Sequence, residues 1–175
     1  MAHWRDELNR IATEFWCGVG LIEELPVVAD AANSDLGEAH ADIWNFYTCS
    51  TEEDAAALTL KLAWELNSFV PASWEAVPYA QGALKRALDN FVTKKTSVQK
   101  LCNLVENLDA TFNIHLSRYP NPPPLTEWEE WWMGNLWNNC DWCDDSWTYE
   151  GCPSLVEEAH RVATMLRELA NSRAN

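Results

Sequence analysis

Residues 140–152 read Cys-Asp-Trp-Cys-Asp-Asp-Ser-Trp-Thr-Tyr-Glu-Gly-Cys: three cysteines, two tryptophans and four acids without one basic residue. Cys140 and Cys143 have the C-x2-C spacing at which two thiolates can approach one zinc ion from a tight turn. A four-coordinate site would then take Cys152 as its third ligand and His160 as its fourth. Those intervals match no common zinc knuckle. The neighbouring carboxylates raise thiol pKa values and so work against the thiolates that zinc and redox chemistry both need. The expectation is a loop of packed or idle thiols with no cofactor. Zinc on Cys140, Cys143, Cys152 and His160 is the metal-binding alternative.

The carboxylates of the same region offer a second chemistry. Glu127, Glu129 and Glu130 precede Asp141, Asp144 and Asp145, and helical enzymes hold divalent cations on facing carboxylates. The spacing does not support it. Glu127 and Glu130 share a helical face that Glu129 does not join, and the two Glu-x-x-His motifs that a di-iron bundle requires are not both present. A solvated acidic face is the simpler reading. Phosphate-binding loops, His-Glu-x-x-His zinc motifs and Gly-x-Ser-x-Gly elbows are likewise absent. His3, His40, His115 and His160 are scattered along the chain. The sequence therefore favours a protein without enzymatic activity, with a metalloenzyme built on the 127–145 carboxylates or the three cysteines as the alternative.

Tryptophan is the compositional anomaly. The chain has 11 in 175 residues, and Trp128, Trp131, Trp132, Trp137, Trp142 and Trp147 all fall within 126–158. The first three can line one helical face. Either the six are core, stapling a short helix and loop to a bundle, or some face outward. Exposed indoles ringed by carboxylates suit a cationic visitor: Arg and Lys stack on aromatic faces while their charge meets a carboxylate, at roughly 0.5–2 kcal/mol per contact. Trp and Tyr are also frequent interface anchors.

The net charge of −15 supports that partner class. Residues 126–158 carry nine acids and no base, more than half of the imbalance. Direct nucleic-acid binding is disfavoured, because it needs positive charge to displace counterions from phosphates. Opposite fields accelerate encounter with a basic protein or nucleoprotein. The leading expectation is a small acidic inhibitor that neutralises such a target, of the kind represented by toxin immunity proteins, antitoxins and phage-encoded anti-defence proteins. Glu127, Trp128, Glu130, Trp131, Asp141, Asp144, Asp145, Trp147 and Glu150 are the candidate contacts. A homodimer with buried tryptophans is a third reading. No apolar run approaches a membrane span, and the amphipathic start lacks the pattern of a signal peptide, so a cytoplasmic location is expected.

The elements that must position these residues read as helices. The expected fold is all-α: one domain over 1–175, a bundle of about six to seven helices with a long irregular Trp/Cys-rich loop near 139–152. Trp4, Leu8, Ile11 and Phe15 form an amphipathic stripe that Gly18 or Gly20 ends. A second helix is expected from Ser34 as N-cap through Leu36, Ala39, Ile43 and Phe46 or Tyr47, and Val27-Val28 gives the one faint strand signal. Ser50 and Glu53 suggest a capping box before Leu58, Leu62, Leu66 and Phe69, with Pro71 as the stop. A helix interrupted near Pro78 and Gly82 carries Leu84, Leu88, Phe91 and Val92. Thr96 or Ser97 caps a longer pattern from Val98 through Leu101, Val105, Leu108 and Phe112 to His115 or Leu116. The prolines of 119–124 make an extended connector. Thr126 and Glu129 suggest a short helix through about Asn138, and Pro153 opens the last one, carrying Leu155, Ala159, Val162, Leu166 and Leu169. Cys17, Cys49 and Cys102 read as small buried apolar residues.

Overall fold

The structure, a computed structural model, describes residues 4–36, 41–114 and 135–173. The protein is all-α, with no strand among the described residues. The chain forms two compact units, Met1–Ala80 and Gln81–Asn175.

In the first unit, helix α1 (Trp4–Trp16) follows the predicted stripe: Trp4, Leu8, Ile11 and Phe15 are all buried. Gly18 ends it in the left-handed region at φ 75°, and the Val19 amide reaches back to the Glu14 carbonyl at 2.9 Å. That backbone closure satisfies carbonyls the last turn would leave orphaned. Gly20 is needed for space: a Cβ there would lie 2.4 Å from Cγ of Phe15.

Helix α2 (Leu25–Leu36) overturns the expectation of a helix starting at Ser34. Ser34 lies near its end, and its hydroxyl donates to the Asp30 carbonyl at 2.9 Å. Leu25, Val28, Ala29 and Ala32 are buried at helical spacing, so the Val27-Val28 pair belongs to a helix rather than a strand. Pro26 at the second position costs no intrahelical hydrogen bond. Residues 41–47 form a 3-10 turn that buries Ile43 and Phe46 and turns Tyr47 outward.

Helix α3 (Glu52–Asn67) is capped by Thr51 rather than Ser50. The Thr51 hydroxyl oxygen accepts from the Asp54 amide at 3.1 Å, so the cap and its partner shift one residue along. It ends at Ser68, φ 52°, before Pro71 is reached. The Arg5 guanidinium donates to the Leu66 carbonyl and to Asn67 Oδ1, and Asn67 Nδ2 returns a bond to the Arg5 carbonyl at 2.9 Å. The first turn of α1 thereby meets the last turn of α3.

Helix α4 (Val77–Val92) runs through Pro78 and Gly82 without the predicted interruption. Pro78 occupies the first turn, where an amide would have no intrahelical partner. In the second unit Leu84, Leu88 and Phe91 of α4 are buried. Helix α5 (Val98–Leu108) is capped by Ser97, which accepts from the Lys100 amide, and it continues as a π turn over Asp109–Ile114. Val98, Leu101, Leu104, Val105, Leu108 and Phe112 form its apolar face. Helix α6 (Asn135–Cys140) packs on α5 and on α7 (Pro153–Arg173), whose Leu155, Ala159, Val162 and Leu166 face inward. His115, Leu116, the connector 119–124 and the capping box at Thr126 and Glu129 lie outside the described residues.

Two predictions follow from this packing. Gly20→Ala should lower the unfolding free energy by about 1–3 kcal/mol, because the Phe15 ring must leave its seat; an unchanged urea midpoint would contradict that. Asp89 of α4 receives Lys85 at 2.9 Å and Arg167 of α7 at 2.6 Å. Burial pushes its pKa up, but the two cations outweigh burial and hold it below the ordinary value. Its contribution is therefore present above about pH 4 and is lost as pH falls through the depressed folded value. Asp89→Asn should cost about 0.5–1 kcal/mol at pH 7, the scale of partly exposed pairs. In a pH series of thermal melts the gap from wild type should shrink as pH falls below about 4 and close once Asp89 is protonated in the folded state.

Candidate functional site

After Cys140, at the end of α6, the chain makes two tight turns instead of another helix. The Cys143 amide bonds the Cys140 carbonyl at 2.9 Å and the Trp147 amide bonds the Asp144 carbonyl at 3.1 Å. Asp144 holds the second turn from its side chain: its carboxylate accepts from the Ser146 amide at 2.7 Å and from the Ser146 hydroxyl. Those bonds favour the charged form and lower its pKa. Thr148 then caps a 3-10 turn at Tyr149–Gly151, and Pro153 starts α7.

This irregular stretch displays its charge. Asp141, Asp144, Asp145 and Glu150 are exposed, and Trp142 stands out with 80% of its surface in solvent. Trp137 and Trp147 are half-buried. The tryptophans thus divide, some packing while one projects outward with the acids. The candidate contacts Glu127, Trp128, Glu130 and Trp131, with Trp132, lie outside the described residues, so no geometry joins them to the loop.

Glu150 differs from the other acids in already having a cation. Lys94, just past α4, places its ammonium 2.6 Å from the Glu150 carboxylate and 4.6 Å from the centroid of the Tyr149 ring. The hydrogen bond from Lys94 lowers the Glu150 pKa, and Glu150 raises that of Lys94. Tyr149 in turn leans on buried Phe91, ring centroids 5.1 Å apart. Beside the loop, Asn138 and Asn139 of α6 and Ser154, Glu157, Glu158 and Arg161 of α7 line a polar cleft of about 400 Å³. Arg161 grips buried Glu158 through two nitrogens, at 2.9 and 2.6 Å.

The cysteines are arranged differently from the proposed zinc set. Six free thiols are present. Cys102 of α5, read from sequence as simple packing, lies near enough to the thiols of Cys140 and Cys143 to interact with both. The Cys140 contact, then burial, raises the Cys102 thiol pKa; burial, Cys102, Asp144 and Glu106 together push Cys143 up to about 12. Cys152 donates to the Thr148 carbonyl at 3.0 Å, and its thiol pKa is raised by burial first. His160 is exposed on α7. Among the described residues no three His, Cys, Asp or Glu side chains are grouped to hold a metal ion. Protonated thiols of this kind are neither ready ligands nor ready nucleophiles.

The first unit carries a further aromatic patch that sequence reading passed over. Trp44 and Tyr47 project from the 41–47 turn with ring centroids 5.6 Å apart, and Tyr47 donates to Asp30. Both are exposed, as are Trp64 of α3 and Trp16 of α1. The available signal was the three-residue spacing of Trp44 and Tyr47 around the inward Phe46.

Comparison with known protein families, characterised proteins and solved structures found no match. No helix among the described residues is long and apolar enough to cross a membrane.

The exposure pattern makes a direct stability prediction. Trp142→Ala should change the unfolding free energy by less than about 0.5 kcal/mol, as a surface truncation does. Leu136→Ala, which empties a fully buried site on α6, should cost about 2–4 kcal/mol. Comparable denaturant midpoints for the two variants would show that Trp142 packs against something.

Proposed function

We propose that the protein is a small acidic inhibitor that binds a basic protein or nucleoprotein and neutralises it by covering a cationic groove. Immunity proteins, antitoxins and phage-encoded anti-defence proteins act in that way. The observation that carries the reading is the loop at 141–150, where Asp141, Asp144 and Asp145 face solvent beside a nearly fully exposed Trp142. Desolvating a bare indole offsets the cost of ordering a partner, and the carboxylates select which partner approaches.

The Lys94 contact supports the same chemistry. Its ammonium sits against the Tyr149 ring with the Glu150 carboxylate at hydrogen-bond distance. A partner's Lys or Arg would take an equivalent seat on Trp142 with Asp141 or Asp145. In this reading Glu150 is a lesser contact than the three aspartates, because Lys94 already serves it. Glu127, Trp128, Glu130, Trp131 and Trp147 complete the proposed surface. The location that fits is the cytoplasm, and the reading assigns no catalytic residue, no cofactor and no direct contact with nucleic acid.

The test is capture of the target from the encoding organism with immobilised protein, followed by affinity measurement on the purified pair. Replacing Asp141, Asp144 and Asp145 together by Asn should weaken binding at least about tenfold, the loss expected when charged interface anchors are removed. Association with wild type should slow as salt rises from low to high ionic strength. A triple variant that binds its target as tightly as wild type would rule out this surface.

A further inference from the structure

Three thiols from two distant parts of the chain meet in the second unit. The Cys102 thiol on α5 lies within electrostatic reach of the thiols of Cys140, the last residue of α6, and of Cys143 in the turn that follows. Cys102 and Cys140 have no solvent-exposed surface, whereas Cys143 is half-buried. Of the three, Cys143 is the one a small solute can touch. Its sulfur also lies 3.6 Å from Oε1 of Gln99, which sits three residues before Cys102 and therefore on the same face of α5. The reachable thiol is held against the helix that carries its buried neighbour.

We propose that Cys102 and Cys143 form an oxidation site at which a peroxide ties the acidic loop to α5 through a disulfide. The Cys143 sulfur attacks the O–O bond, giving a sulfenic acid and releasing one water. The Cys102 sulfur then displaces the hydroxyl from the Cys143 sulfur, forming the S–S bond and releasing a second water. Two thiols and one peroxide become one disulfide and two waters: the sulfurs lose two electrons and the peroxide takes them. Cys102 is the resolving thiol because it lies one helical turn from Gln99, against which Cys143 is held, and is shielded from the oxidant itself. Burial and acidic neighbours keep Cys143 protonated at neutral pH, so the reaction runs through a small thiolate fraction and is slow beside that of a dedicated peroxidase thiol. The crosslink closes a span of 41 residues, removing freedom from the unfolded chain. The oxidised form therefore melts at a higher temperature than the reduced form.

The chain's own cleavage sites decide the matter. Residues 119–160 contain no Lys or Arg, so a trypsin digest leaves Cys140, Cys143 and Cys152 on one fragment. An aspartate-directed protease cutting before Asp141 and Asp144 separates all three, and a cut before Asp109 releases Cys102. The full-length reduced protein is treated with hydrogen peroxide, digested by both proteases without reductant, and mapped by mass spectrometry. The expected product joins fragments 101–108 and 141–143 with the loss of two hydrogens, and dithiothreitol reverses it together with the rise in melting temperature. Cys140→Ser should keep this product; Cys102→Ser and Cys143→Ser should abolish it. A link from Cys143 to Cys140 or Cys152 overturns the proposal, and so does oxidation of Cys143 to sulfenic or sulfinic acid with no link. The wild-type map alone is decisive should a variant fail to fold.

Discussion

Cations are the scarce resource in this protein: 12 basic side chains face 27 acids. The consequence is visible at each well-placed base. Arg10 serves three carboxylates at once, Glu7, Glu14 and Glu24, all at 2.7–2.8 Å, and Glu14 is almost wholly buried. A buried carboxylate stripped of its guanidinium would be several kcal/mol out of place, so α1 is bound to keep Arg10 where it is. Asp89 is the reverse case, one carboxylate receiving both Lys85 and Arg167. Basic residues are used where elements join: α1 to the turn after it, α4 to α7, and the end of α4 to the loop.

The same scarcity explains why the loop is open. Residues 126–158 contain no base of their own, and a carboxylate without a partner cannot enter the core at tolerable cost. Asp141 and Asp145 therefore stay in water, Asp144 is satisfied by its own turn, and Glu150 borrows Lys94 from another part of the chain. With acids on both sides, Trp142 is carried outward by its neighbours. Cys140 and Cys152, which bring no charge, are the points at which the loop enters the interior.

Periodic apolar spacing was the most legible signal. The α1 stripe, the α5 stripe and the α7 stripe fall where the sequence places them, since a 3.6-residue repeat of large side chains admits few other solutions. The failures have physical causes. α2 was missed because half of its buried face, Ala29 and Ala32, is alanine, which barely changes the hydropathy pattern. The α3 cap was read one residue early because Ser50 and Thr51 are equally able to cap, and only the backbone decides. Pro78 was taken as a break although a first-turn proline removes no bond. At the candidate site, the exposure of Asp141, Asp144 and Asp145 was readable from charge alone. The role of Cys102 was not, because a cysteine on an apolar stripe looks the same whether it touches a methyl group or another thiol.

Lys94 has a further consequence. It terminates α4 with a backbone angle of 58°, in the region that glycine occupies most easily. A glycine would ease the turn but would carry no side chain to reach Glu150. One flexible alkyl arm joins the end of α4 to the loop at Glu150, so an anion that drew the ammonium away would release that tie while the buried Cys140 and Cys152 kept the two ends of the loop in place. Tyr149, tilted against Phe91 with ring centroids 5.1 Å apart, is a second tie that does not depend on charge.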